Sequence, residues 1–140
     1  MAMVIHLDIV SAEREIFSGV AEMVCAPADM GEVGITPRHA PLITRLKPGE
    51  VRVYLPNGGK ESFYVSGGIL EVQPHVITVL SDTASRAHDI DEASALAAKE
   101  QAEQAMKNHT SEIEYAAAEA SLAEASAQLA LLKRIKKAKH

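Results

Sequence analysis

Tryptophan is absent and aromatic residues make up only 4% of this 140-residue chain, so a binding surface built on base stacking or on aromatic anchors is poorly supplied. Cys25 is the single cysteine. No internal disulfide can form, which excludes a secreted disulfide scaffold and points to a cytosolic protein. A basic excess is missing too: the formal net charge is −5, whereas nucleic-acid binders gather cations on one face, so a partner protein is the better expectation. The opening Met1 to Asp8 has neither the positive start nor the apolar run of a signal peptide. Nor does any stretch approach the ~20 apolar residues that span a bilayer. Membrane association is therefore expected only through a partner.

Catalytic signatures are also lacking. The glycines occur singly or in pairs, with no Gly-x-x-x-x-Gly-Lys-Ser/Thr phosphate loop, so nucleotide hydrolysis by this chain is not expected. Ser66 precedes Gly67-Gly68, but Tyr64 stands where a nucleophile elbow needs glycine, and Ser66 reads as a turn residue. His6 and Asp8 share one strand face without a third convergent ligand, which is more often a solvated face than a metal site. His39, His75 and His88 are flanked by turn residues and show no ligand spacing. Cys25, between Val24 and Ala26, reads as core rather than nucleophile.

What is present falls into two halves with different patterning. From the start to about Arg86, apolar and polar residues alternate in short runs punctuated by glycine and proline, the period-2 signature of half-buried strands. Ile5, Leu7 and Ile9 share one face while His6 and Asp8 take the other. Similar runs occur at Met23 to Ala26, Val51 to Leu55, Phe63 to Ser66, Ile69 to Val72 and Val76 to Leu80. Lys47-Pro48-Gly49 and Pro56-Asn57-Gly58-Gly59 are read as turns, and Gly67-Gly68 as a sharp bend between two runs. Many short strands with regular turns predict an antiparallel β-sandwich or flattened barrel over 1–86.

After Ala87 glycine and proline vanish and strong helix formers dominate. Asp89 with Glu92, and Ser111 with Glu114, fit the spacing of capping boxes. Asn108-His109-Thr110 then forms the turn of an antiparallel helical hairpin over 87–140. The chain as a whole is thus an α+β protein in two modules. Tyr115, Ala118, Leu122, Ala125, Leu129 and Leu132 make a stripe at spacings of three and four, and Ala95, Ala98, Ala102 and Ala105 make an all-alanine stripe to match. Alanine buries little area, so at ~25 cal/mol per Å2 this seam is expected to be weak and able to open. All acidic residues of this half lie between Asp89 and Glu124, whereas Lys133, Arg134, Lys136, Lys137 and Lys139 crowd the end. The helix macrodipole accounts for those cations as well as a docking role does.

One segment invites a functional reading. Gly31 to Leu42 holds two glycines and two prolines in twelve residues and is read as a stiffened, exposed turn that presents Glu32, Arg38 and His39 together. The residues alone allow either a loop rigid for stability or a preorganised docking surface.

Three long motifs carry a resemblance. His6-Leu7-Asp8-Ile9-Val10-Ser11-Ala12-Glu13, the segment Gly31 to Leu42, and Ser66-Gly67-Gly68-Ile69-Leu70-Glu71-Val72-Gln73-Pro74 are similar, in order, to those of epsilon subunits of bacterial F-type ATP synthases. Val79 to Ala84 resembles that family's following strand. The resemblance implies a non-enzymatic central-stalk subunit on the cytoplasmic face of the bacterial inner membrane, peripheral and held there by its complex. It implies partners as well: the gamma subunit, the ring of c subunits, and the alpha and beta subunits of the catalytic head when the hairpin is extended. It places Glu32, Arg38 and His39 at the c-ring contact and Ser11, Leu42 and Thr44 at the gamma contact, and makes the hairpin, with its tail Lys133, Arg134, Lys136 and Lys137, a brake on hydrolysis. Some members bind ATP through Ile/Leu-Asp-x-x-Arg-Ala. Here that stretch reads Ile90-Asp91-Glu92-Ala93-Ser94-Ala95, with serine for the arginine, so no cofactor is expected and ATP binding should be weak or absent. A different class of protein, a nucleotide-sensing regulator working apart from the synthase, would be separated by failure to co-purify with gamma.

Overall fold

Alternation does become strands, eight of them among the described residues, and the helix formers there become two helices. The computed structural model describes the backbone of residues 3–108 and 111–138, with side chains up to 135. The chain divides into two compact units, Met1–Ala87 and His88–His140. The first unit contains β1 (Ile5–Ser11), β2 (Glu15–Ala21), β3 (Met23–Ala28), β4 (Gly31–Ile35), β5 (Leu42–Tyr54), β6 (Lys60–Val72), β7 (Val76–Ser81) and β8 (Ala84–Arg86). Their hydrogen-bonded order is β2-β1-β7-β6-β5-β3-β4, with β8 added to β6.

Strands β5 and β6 are each 13 residues long and serve both layers of the sandwich. Residues 69–72 of β6 pair with β7, and residues 63–65 pair with β8. The crossover falls at Gly67 and Gly68, whose φ angles are +111° and +131°. The expected break between two runs is therefore a bend within one strand, made where only glycine fits. Lys47-Pro48-Gly49 is likewise not a turn; it lies inside β5. Proline is tolerated there because the β3–β5 register breaks between Cys25 and Ala28, so no ladder bond from β3 needs its missing N–H. Gly49 fits beside it, since a Cβ would press on the Pro27 ring at 3.0 Å from Cγ.

Strands β2, β4 and β8 were not expected from the pattern. They are short or edge elements, where one solvated side weakens the alternation. One pair also departs from the antiparallel rule: β1 and β7 run parallel, His6 against Val76 through Ser11 against Ser81. They lie far apart in sequence, so no hairpin constrains their direction. The inner faces enclose one core in which Ile5, Leu7, Ile9, Ile35, Val51, Val53, Phe63, Leu70, Ile77 and Val79 are essentially fully buried, each worth roughly 1.5–3 kcal/mol of transfer free energy. Arg86 closes the side of the sandwich: it pairs with Glu61 at 3.2 Å, donates to the Ile16 carbonyl at 3.3 Å and lies over the Phe63 ring.

A short 3-10 turn, Ala87–Asp89, spans the boundary, and the second unit then holds α1 (Glu92–Lys107) and α2 (Glu112–Ala138). Asp91, not Asp89, is the N-cap of α1; its carboxylate accepts from the Ala93 N–H at 3.0 Å. Asp89 ends the 3-10 turn, two residues before the cap. Ser111 does cap α2, accepting from the Glu114 N–H at 3.1 Å. Of the proposed turn, Asn108 is the C-cap of α1, and His109 and Thr110 lie outside the described residues. The alanine stripe is half as deep as expected. Ala95 and Ala102 are buried, but Ala98 and Ala105 are exposed, and Lys99 and Met106 take the partly buried positions instead. Spacings of four and seven from Ala95 follow the 3.6-residue turn more closely than alternate threes and fours. On α2, Ala118, Ala125 and Leu131 are buried. Among the described residues of this unit four of the five buried ones are alanines, which makes a thin seam, about 0.8 kcal/mol for each methyl group.

Candidate functional site

The segment Gly31 to Leu42 is not one exposed turn. Glycine-flanked β-formers at its start make it strand β4 as far as Ile35, and only Thr36 to Pro41 remains a loop. Pro37 sets the φ of the next corner, Arg38 follows at φ +65°, and His39 N–H closes the turn on the Thr36 carbonyl at 3.2 Å. These are the features of a type II turn with arginine where glycine is usual. The Arg38 N–H also donates to the Pro74 carbonyl at 3.0 Å, fastening this loop to the one between β6 and β7. His39 Nδ1 lies 2.7 Å from the Ala40 carbonyl.

Glu32 stands apart from that corner. About 10 Å of strand, three residues at ~3.3 Å each, separates it from Ile35, so the structure does not bring Glu32 beside Arg38 and His39. Its partner is Arg52, two strands away across β3. Arg52 Nη2 pairs with Glu32 Oε1, Nη1 reaches Oε2 at 3.4 Å, and Nη1 lies 3.7 Å from Glu50 Oε1. Burial works against the guanidinium charge, but hydrogen bonding, led by Glu32, outweighs it and holds the Arg52 pKa above its ordinary value. Sequence reasoning missed Arg52. Nothing local marks it, because its meeting with Glu32 follows from the order β4-β3-β5.

The residues assigned to the gamma contact are spread over one sheet. Ser11 ends β1 and orders the β1–β2 turn: its hydroxyl accepts from the N–H groups of Glu13 and Arg14 and donates to the Arg14 carbonyl. Beside it lies a shallow groove of about 330 Å3 lined by Val10, Ser11, Gly68, Ile69, Leu80 and their neighbours. Val10 pairs with Leu80 and Leu80 with Ile69, so three apolar side chains cross the outer face in a row, and Ile69 and Leu80 are exposed. Leu42 and Thr44 are half buried, and Leu42 packs against the core. Between them Ile43 points outward and is 73% exposed. Strand alternation thus gives the outer face to Ile43 rather than to the two residues named from sequence.

On the same face His6 Nε2 lies 2.9 Å from Asp8 Oδ1, and Ser18 Oγ donates to that oxygen at 2.8 Å. The hydrogen bond from Ser18 holds the Asp8 carboxyl below the usual range against desolvation, helped by a hydrogen bond and charge attraction from His6. Among the described residues no three metal-capable side chains come together, and Cys25 is buried with a free thiol.

In the helical unit Ser94 joins the cap, its Oγ donating to Asp91 Oδ2 at 3.0 Å. This bond and the amides of Ser94 and Ala93 lower the Asp91 pKa. Asp91 and Ser94 are therefore committed to each other, Ala95 is buried in the seam, and Ile90 lies just ahead of the cap. The exposed alanines Ala98 and Ala105 line a groove of about 530 Å3 between α1 and α2. Lys133 and Arg134 are exposed near the end of α2. Lys136 and Lys137 continue the helix, but their side chains, like all of Lys139, lie outside the described residues.

Residues 4–87 match the family model described as ATP synthase, Delta/Epsilon chain, beta-sandwich domain, and residues 88–133 match ATP synthase, Delta/Epsilon chain, long alpha-helix domain. The ATP synthase epsilon chain of Nitrosococcus oceani is 66% identical over 137 residues, covering 98% of each chain. That of Nitrosomonas eutropha is 59% identical over 140 residues and the full length of both. The chain belongs to the ATP synthase epsilon-chain family. Its fold is also shared with a chain of the Euglena gracilis mitochondrial ATP synthase, OSCP/F1/c-ring in rotational state 1, at TM-score 0.76 and 21% identity over 98% of this chain and 82% of that one. A chain of the Tetrahymena thermophila mitochondrial ATP synthase central stalk and c-ring matches at TM-score 0.55 and 13% identity, over 94% and 95% respectively. The boundary between the two epsilon domain models falls between residues 87 and 88, where the compact units also divide.

Proposed function

We propose that this epsilon-family chain is a non-catalytic central-stalk subunit of a proton-translocating F-type ATP synthase. Its β-unit binds the gamma subunit and the c ring and couples ring rotation to ATP synthesis, and its hairpin opposes ATP hydrolysis by the catalytic head. The observation that carries this reading is the ordered match of both family domains over residues 4–133. The site geometry supports it. The sandwich presents an apolar row, Val10, Leu80 and Ile69, next to Ser11, with Leu80 and Ile69 exposed, which suits a permanent partner such as gamma. At the c-ring contact, Glu32 is held on β4 while Arg38 and His39 sit on a braced turn.

The hairpin supports the brake. Its alanine seam is thin enough for the helices to separate at modest cost, and its exposed cations Lys133 and Arg134 suit acidic segments of alpha and beta subunits. No described helix is long and apolar enough to cross a membrane, in keeping with a peripheral place on the cytoplasmic face of the inner membrane, reached through the complex. Truncation after His88, followed by reassembly, should raise ATP hydrolysis and leave proton pumping intact; unchanged hydrolysis refutes the brake. Replacing Glu32 and His39 by alanine should weaken coupling, and undiminished pumping would show that those residues are scaffold.

A further inference from the structure

We infer that Arg52 is the positioning residue for Glu32, holding its carboxylate in the orientation in which it accepts hydrogen bonds from a cationic or amide-bearing side chain of the partner; this rests on the reading of Glu32 as a c-ring contact. The Arg52 side chain is only 16% exposed, whereas that of Glu32 is 51% exposed. A largely buried guanidinium thus anchors a half-exposed carboxylate. Its two terminal nitrogens take one Glu32 oxygen each, a planar fork that lysine cannot reproduce. The guanidinium also lies 3.7 Å from Glu50, two residues earlier on β5, whose side chain is 10% exposed.

The strand order makes this possible. Cys25 on β3 lies between Gly34 and Arg52, and Pro27 lies opposite Glu32. Arg52 therefore reaches diagonally past β3 toward β4, and Gly34 leaves the edge rung free of a side chain. Two carboxylates share one guanidinium, so the cluster keeps a net charge of −1. A carboxylate has about four lone-pair sites and the fork occupies two. The Glu32 side chain is half exposed, so a donor from the partner could complete the remaining sites. A free glutamate would have to be ordered on binding, at a cost that Arg52 has already met in the folded chain.

Positioning and simple electrostatics predict opposite effects. Removing Arg52 makes the face more negative, which by charge alone would strengthen attraction to a cationic partner. Loss of orientation instead speeds dissociation, by about two- to tenfold for one immobilised side chain. The experiment measures dissociation of the gamma–epsilon complex from a detergent-solubilised c ring, with full-length epsilon carrying Glu32→Gln, Arg52→Gln, Arg52→Lys or Glu32→Gln/Arg52→Gln. Thermal melting of each variant separates loss of fold from loss of orientation. Both glutamine variants should dissociate faster, the double variant no faster than Glu32→Gln, and Arg52→Lys should fall between wild type and Arg52→Gln. Wild-type or slower dissociation with Arg52→Gln while Glu32→Gln is impaired overturns the proposal, as does additivity in the double variant. If Arg52→Gln does not fold, wild-type dissociation with Arg52→Lys overturns it. Wild-type behaviour in both single glutamine variants overturns the c-ring reading of Glu32, and this proposal with it.

Discussion

Gly68 is the position where one methyl group should do most damage. Its φ of +131° lies on the side of the map that side chains avoid, at a cost of about 1–2 kcal/mol for any L-residue. A Cβ there would overlap the Leu80 carbonyl oxygen and come within 2.9 Å of Ser81 Cα. Both belong to β7, whose backbone is pinned by β1 on its other side, so relief by movement is expensive and overpacking adds about 1–3 kcal/mol. Gly68→Ala should therefore cost roughly 2–5 kcal/mol, against a total of about 4–13 kcal/mol for a unit of this size. At ~4–8 °C per kcal/mol the melting temperature should fall by roughly 10 °C or more. Gly58→Ala is the control: its φ is +89°, yet nothing lies within 4 Å of an added Cβ, so only the conformational cost of about 1 kcal/mol applies. Urea titration of the full chain, followed by tyrosine fluorescence and by circular dichroism of the strands, measures both. If the two substitutions cost the same within ~0.5 kcal/mol, the close approach of β6 to β7 is not as described and the reasoning fails.

Arg38 occupies left-handed backbone at φ +65°; Arg38→Gly should raise stability by about 0.5–1 kcal/mol and Arg38→Val lower it by more than ~1 kcal/mol, read as urea midpoints. Equal midpoints would remove the argument for strain in that turn. The Asp8 pKa is lowered from the ordinary carboxylate value, first by the Ser18 hydroxyl. Its contribution is thus fully present above the ordinary aspartate value and is lost as pH falls through the lower folded value. Asp8→Asn or Ser18→Ala should flatten the decline in stability below about pH 4, and an unchanged acid limb would count against the cluster. Isothermal titration of the wild-type chain with ATP should give no micromolar binding. Ser94→Arg, which restores a phosphate-facing cation, should tighten it by ~10- to 150-fold, from about 1.5–3 kcal/mol for a charged hydrogen bond; micromolar affinity in the wild type would overturn this.

Strand or helix was legible wherever one side of an element is buried along its whole length. β1, with Ile5, Leu7 and Ile9 inside, is the plainest case. The edge strand β4 was not, because Gly31, Glu32 and Gly34 face solvent and read as loop. Pro48-Gly49 reads as a turn in sequence because those residues usually make one, and only the interrupted β3–β5 register shows why a strand accepts them. At the candidate site Glu32, Arg38 and His39 could be named from a run of contiguous residues, yet their separation could not be seen, since it depends on where β4 stops.

Local chemistry therefore determined much of this protein: two modules of different secondary structure, a helical half whose alanine seam is weak, and the motifs that place it among epsilon chains. These are short-range properties, written in periodicity, turn residues and side-chain size. The tertiary structure decided which distant residues meet. It brought Arg52 to Glu32 across β3, laid Val10, Leu80 and Ile69 side by side, and ran β1 parallel to β7. Such pairings are set by sheet order and register, and no window of neighbouring residues encodes them.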